Sequence, residues 1–113
     1  MSLKEKILIA DDSEMNQMLL EEILSDKYEY VMAKDGTEAV DILEKNDDID
    51  LVMLDINMPK MDGFGVLEIM NLRHWISEVP VIIISSESDV DFIRRGYDLG
   101  ASDYISRPFD LTV

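Results

Sequence analysis

Short apolar runs alternate along the chain with longer stretches in which apolar residues recur every three or four positions. The runs at residues 6–10, 28–33, 49–54, 81–85 and 103–105 have the length and β-branched content of strands. Between them, residues 14–24, 37–46, 63–72 and 90–99 carry helical periodicity. In the first of these stretches Met15, Met18, Leu19 and Ile23 form an apolar stripe, interrupted by Glu22. Ser13, Thr37 and Asp89 are suited to cap helix N-termini, and Gly100 to close the fourth helix in a left-handed conformation. Repeated strand–helix units predict an α/β fold, with a parallel sheet that has helices on both faces.

Parallel sheets bury both faces, yet the chain stops at Phe109-Asp110-Leu111-Thr112-Val113, where a fifth helix is expected to begin. The expectation is therefore one domain over residues 1–113, with its fifth helix absent or truncated, forming the N-terminal part of a longer chain. At 113 residues the length suits a single core, since domains run roughly 100 to 200 residues. No internal repeat or Pro/Gly-rich linker marks a second domain.

A formal net charge of -15 and a pI near 4.1 disfavour direct binding to nucleic acid or an anionic membrane. Cations and basic partner surfaces fit better. A hydrophobic content of 47% is not that of a disordered chain, and no apolar run approaches the roughly 20 residues that span a bilayer. The lack of cysteine and of a signal-peptide core near the N-terminus is in keeping with a cytoplasmic location.

Candidate chemistry begins with Asp55, which ends the run Leu51-Val52-Met53-Leu54 and so sits at the mouth of a central strand. Asp11-Asp12 follows Ile7-Leu8-Ile9-Ala10 in the same way. In a parallel sheet the C-terminal ends of the strands share one edge, so these three acids are expected to converge. Carboxylates that close either share a proton or hold a divalent cation through oxygen ligands. No Gly-rich phosphate loop follows the first strand, which argues against a nucleotide-binding module.

Five features in order bring the chain, from about Lys6 to Phe109, into resemblance with the CheY-like receiver domains of two-component response regulators. They are Asp11-Asp12, Asp55, Met58-Pro59-Lys60-Met61-Asp62-Gly63, Ser85-Ser86, and Gly100-Ala101-Ser102-Asp103-Tyr104-Ile105-Ser106-Arg107-Pro108-Phe109. The resemblance implies a flavodoxin-like fold with strand order 2-1-3-4-5, and a phosphoryl group accepted on Asp55 from a histidine kinase or phosphotransfer domain. It also implies Mg²⁺ or Mn²⁺ held by Asp12 and Asp55 directly, by Asp11 through water, and by the backbone carbonyl of Asn57. Ser85 would donate its hydroxyl to the phosphoryl group, helped by the N–H of Ser86, and Tyr104 would occupy the switch-aromatic position. Asn57 and Glu87 stand where family members tune dephosphorylation.

Arg107 departs from the pattern, which has lysine before the proline; arginine is longer, planar and able to pair bidentately with phosphate. It is expected to keep the phosphate-sensing role with altered geometry, aimed inward if the Arg107–Pro108 bond is cis. Met58 and Met61 read as packing residues, and His74 as a surface residue at a helix end rather than a phosphohistidine. The expected function is thus a phosphorylatable switch controlling an output domain or partner protein, with a homodimer as one form of output. It would be no turnover enzyme beyond its own phosphotransfer and autodephosphorylation. One alternative is a receiver-like interaction module that works without phosphate. A haloacid-dehalogenase-like phosphatase fits poorly, because its Asp-x-Asp motif belongs after the first strand and the chain has no room for a cap.

Overall fold

The computed structural model describes residues 5–24, 27–85 and 90–106. Strands β1 (Glu5–Ala10), β2 (Tyr28–Ala33), β3 (Leu51–Asp55), β4 (Val81–Ser85) and β5 (Asp103–Ser106) alternate with helices α1 (Glu14–Leu24), α2 (Gly36–Lys45), α3 (Gly63–Leu72) and α4 (Val90–Asp98). All strand pairs are parallel, in the order β2-β1-β3-β4-β5. The expected fold class and topology are those observed. The third strand starts later than its apolar run, because Ile49 packs in the core before pairing begins at Leu51.

Alternate residues of the strands feed two separate cores. Leu8, Ala10, Val52, Leu54, Val81 and Ile83 pack beneath α2 and α3 with Leu43, Phe64, Leu67 and Met70, while Phe92 of α4 joins from the edge. On the other face Ile7, Ile9, Met53 and Ile84 pack with Leu20 of α1. Both faces of the central strands are thus apolar, which is why those strands read as continuous hydrophobic runs rather than alternating ones. By the same alternation Ile82 and Ile105 belong to the α1 face, where Ile105 is 37% exposed. The expected absence of a fifth helix falls on residues 107–113, outside the described residues.

The apolar stripe of α1 does not face the sheet. Met15 and Met18 are 72% and 67% exposed, and Leu20 is the buried residue, with Leu24 half-buried beside it. One turn earlier the inner position belongs to the polar Gln17, whose amide donates to the backbone carbonyls of Asp11 (2.7 Å) and Ala33 (3.4 Å). A polar residue on the inner face is stable here because it donates to the Asp11 carbonyl and shares the Ala33 carbonyl with the Asp11 N–H.

Helix ends explain several boundaries. Ser13 caps α1, its hydroxyl accepting from Asn16 N–H at 3.3 Å. For α2 the cap is Asp35 rather than Thr37: its carboxylate accepts from Glu38 N–H at 2.8 Å, and the Thr37 hydroxyl donates to that same oxygen at 2.6 Å. Asp35 is the better acceptor and sits three residues before the N–H it satisfies, so the helix begins at Gly36 and already includes Thr37. These hydrogen bonds, from Thr37 first and Glu38 next, hold the Asp35 carboxyl below its ordinary pKa against the cost of burial. Asp89 lies outside the described residues. Gly100 closes α4 at φ 107°, with Gly100 N–H donating to Tyr97 and Ala101 N–H to Gly96, each at 3.0 Å, the Schellman pattern. His74 is exposed, with φ 61°, and precedes a single 3₁₀ turn at Trp75–Ser77.

Both caps are open to test. Gly100→Ala forces a Cβ into a left-handed position 2.8 Å from the Ile76 side chain, and is expected to cost about 1–2 kcal/mol, read as a lower urea midpoint with unchanged slope. Because folding lowers the Asp35 pKa, its contribution is present above the unfolded value and is lost as pH falls through the folded one. The stability gap between the parent and Asp35→Asn should therefore be wider at pH 7 than at pH 3 in paired urea titrations.

Candidate functional site

Strand register builds the acidic cluster. Ala10 pairs with Leu54, so Asp11 and Asp55 leave the sheet side by side on neighbouring strands, whose spacing is about 4.8 Å. Asp12 follows on the loop into α1. Asp11, Asp12 and Asp55 each offer a carboxylate oxygen within 4.8 Å of the others; Asp11 and Asp55 are buried and Asp12 is exposed. The convergence expected of these three residues is what the fold produces.

Backbone groups fix the two buried acids. Asp11 N–H donates to Ala33 O at 3.0 Å, its Oδ1 accepts from Ser13 N–H at 2.9 Å, and Gln17 pins its carbonyl. Asp55 Oδ1 accepts from Asn57 N–H at 3.3 Å. One step further on, Gly63 N–H donates to Ile56 O at 2.8 Å, and a Cβ at Gly63 would stand 2.5 Å from the Asp55 carbonyl, so glycine lets α3 start close against the end of β3. With two buried acids and one exposed acid facing each other, the donor set is all oxygen and strongly anionic. Oxygens on a Mg²⁺ ion lie about 3 Å apart in adjacent positions and about 4 Å apart in opposite ones, given bonds of about 2.0–2.1 Å. Separations of up to 4.8 Å therefore suit such an ion after a small closure, or with one acid acting through water.

Ser85 is wholly buried at the end of β4, one residue beyond Ile84, the partner of Asp55 across β3 and β4. Its hydroxyl thus belongs to the same sheet edge as the acids. Tyr104 is half-buried against the core beneath α2 and α3, level with Ile83. Asn57 is exposed and Met58 buried, while Met61 packs half-buried against the same core. Ser86, Glu87, Arg107 and Pro108 lie outside the described residues.

A contact between the β2–α2 turn and the β3–α3 loop has no counterpart among the sequence-based expectations. Gly36 N–H donates to Met61 O at 3.1 Å, and the Lys60 ammonium lies 3.7 Å from the buried Asp35 carboxylate. Lys60 itself holds a left-handed φ of 67°, uncommon for a residue with a Cβ. The available signal was the Asp35-Gly36 pair, a dipeptide that marks turns. Gln17 was missed because its role depends on the neighbouring strand ends rather than on its own helix.

Comparison with known proteins agrees with this geometry. The family model described as "Response regulator receiver domain" matches residues 7–113. A probable transcriptional regulator, ycf27, from Porphyridium aerugineum is 43% identical over 107 residues, covering 94% of this chain and 43% of that protein. The chain spans less than half the length of the curated relatives it matches first. Among solved structures, chemotaxis protein CheY4 of Vibrio cholerae aligns with a TM-score of 0.86 at 28% identity, covering 95% of this chain and 89% of that one. A CheX-CheY-BeF3-Mg²⁺ complex from Borrelia burgdorferi aligns with a TM-score of 0.81 at 33% identity, covering 94% and 80%. Sheet order, acidic cluster and sequence similarity lead to one assignment: the chain belongs to the response regulator receiver domain family of two-component phosphorelay signalling.

Proposed function

We propose that Asp55 is the phosphoacceptor of this receiver, and that Asp11, Asp12 and Asp55 hold the divalent cation on which its phosphorylation depends. The observation that carries the reading is the set of three carboxylates within 4.8 Å at the C-terminal edge of the sheet. The Mg²⁺ complex of the similar Borrelia protein supports the choice of ion. When bound, the ion supplies positive charge against which the equatorial oxygens of a transferring phosphoryl group are neutralised.

Asp55 attacks phosphorus with a carboxylate oxygen: an O–P bond forms, the P–N bond of a phosphohistidine breaks, and the departing nitrogen keeps the bonding electrons as imidazole. The Asn57 N–H orients the attacking carboxylate, and Asn57 lends its backbone carbonyl to the ion. Ser85 donates its hydroxyl to one phosphoryl oxygen. Arg107 pairs with another in place of the usual lysine, and Glu87 with Asn57 sets how readily water reaches the acyl phosphate. Tyr104, in register beside the strand that ends in Ser85, turns inward when Ser85 moves and carries the change to the surface of α4 and β5.

The phosphodonor is a sensor histidine kinase or a phosphotransfer domain in the cytoplasm, and the output is a further domain or partner protein, with dimerisation as one route. The description of the ycf27 relative as a transcriptional regulator supports an output on gene expression. The domain performs its own phosphotransfer and slow dephosphorylation and turns over no other substrate. Among the described residues no helix is long and apolar enough to cross a membrane.

Incubation with acetyl phosphate and Mg²⁺ should add the mass of one phosphoryl group to the parent. Asp55→Ala, or the parent in excess chelator, should gain none. A folded parent that binds Mg²⁺ yet gains no mass would instead favour the phosphate-independent interaction module. Ser85→Ala should slow labelling at saturating Mg²⁺ by about 10²-fold and leave Mg²⁺ affinity unchanged, since it removes a donor to the transition state and not a metal ligand.

A further inference from the structure

We infer that the N-terminus of α2 is a latch on the β3–α3 loop, so that Gly36, backed by Asp35, is a positioning residue for cation binding at Asp11, Asp12 and Asp55. The inference rests on the cation-dependent reading above and extends it to residues outside the acidic cluster.

The loop at residues 56–62 is tied down twice near the sheet, by Asn57 N–H on Asp55 Oδ1 and by Gly63 N–H on Ile56 O. Its outer corner, Lys60-Met61, is a tight turn in which Met61 N–H reaches back to Pro59 O at 2.7 Å and Lys60 takes a positive φ. A corner in a sparsely populated conformation persists when its surroundings hold it. Here the holding groups belong to α2: the Gly36 N–H on Met61 O and the Asp35 carboxylate facing the Lys60 ammonium.

The approach is close enough to require glycine. A Cβ at Gly36 would collide with Met61 O and stand 2.7 Å from Met61 Cβ and 2.8 Å from its carbonyl carbon. Two of those three atoms are main chain, so no rotamer change relieves the contact, and the start of α2 and the corner must part. One of the loop's two inner ties joins Asn57 to the Asp55 carboxylate, so a displaced corner would reach the acidic cluster through it. Magnesium tolerates little departure from octahedral geometry, so a shift transmitted to Asp55 and Asn57 is read as affinity. Loss of outer support to a metal ligand typically weakens binding about 10- to 100-fold.

A purely local role for Asp35-Gly36, as a turn and helix cap, gives a different result: lower stability and unchanged affinity. Mg²⁺ titration by calorimetry, urea melts and acetyl-phosphate labelling of the parent, Gly36→Ala and Asp35→Asn separate the two. Gly36→Ala should raise the Mg²⁺ Kd by about 10-fold, with labelling restored toward the parental rate at saturating Mg²⁺. Asp35→Asn, which keeps a capping oxygen but loses the charge facing Lys60, should raise the Kd by a smaller factor. By linkage, Mg²⁺ should also slow amide exchange at Gly36 in the parent. A folded Gly36→Ala with the parental Kd would overturn the latch. Should Gly36→Ala fail to fold, a parental Kd in Asp35→Asn together with Gly36 exchange indifferent to Mg²⁺ would overturn it equally. A parent that binds no Mg²⁺ would overturn both the latch and the cation-dependent function, whereas parental binding with unaffected variants overturns the latch alone.

Discussion

The register of β1, β3 and β4 is the constraint on which the site depends. Because Ala10 pairs with Leu54 and Asp55 with Ile84, the residues that leave the sheet at one edge are Asp11, Asp55 and Ser85. A slip of one residue would exchange the side chains that face the two cores and carry Asp11, Asp55 or Ser85 out of line at the strand ends. The apolar residues that set the register are Leu8, Val52, Leu54 and Ile83 on one face and Ile7, Ile9, Met53 and Ile84 on the other. Core packing and site geometry are therefore one specification, and the energy that places the carboxylates side by side comes from hydrophobic burial on both sides of the sheet.

That arrangement sets like charges against each other at the end of a well-packed core. Two of the three carboxylates are buried, so the cluster is a poor place for unscreened negative charge and a good one for a cation. Among the described residues, the groups that support it include the N–H groups of Ser13 and Asn57, the Ala33 carbonyl and the Gln17 amide. These contacts orient the carboxylates at the strand ends. The Lys60 ammonium lies 3.7 Å from the Asp35 carboxylate.

Much of this is legible in the amino-acid sequence because it is encoded locally. Each strand is a short apolar run, and the acids immediately follow two of them, so convergence needed only the assumption of a parallel sheet. Gly100 could be placed because a left-handed C-cap has few residue choices. Failures occurred where two local signals compete or where the partner is distant in sequence. Both sides of α1 carry apolar residues, and the stripe with Met15 and Met18 was indistinguishable by spacing from the one with Leu20 and Leu24. Asp35 and Thr37 are both good caps, and the choice between them turned on which oxygen reached the Glu38 N–H. The contact from Gly36 to Met61 joins residues on different crossover units, so no window along the chain contains it.

On the reading proposed above, the acidic edge binds a cation and, with it, a phosphoryl group on Asp55. Beryllofluoride, which mimics an acyl phosphate on aspartate, allows this to be read directly by ¹⁹F NMR. The expected result is a protein-bound fluorine signal that requires Mg²⁺ and vanishes in Asp55→Ala. A folded parent that shows no bound signal at saturating Mg²⁺, or a signal that survives the loss of Asp55, would contradict it.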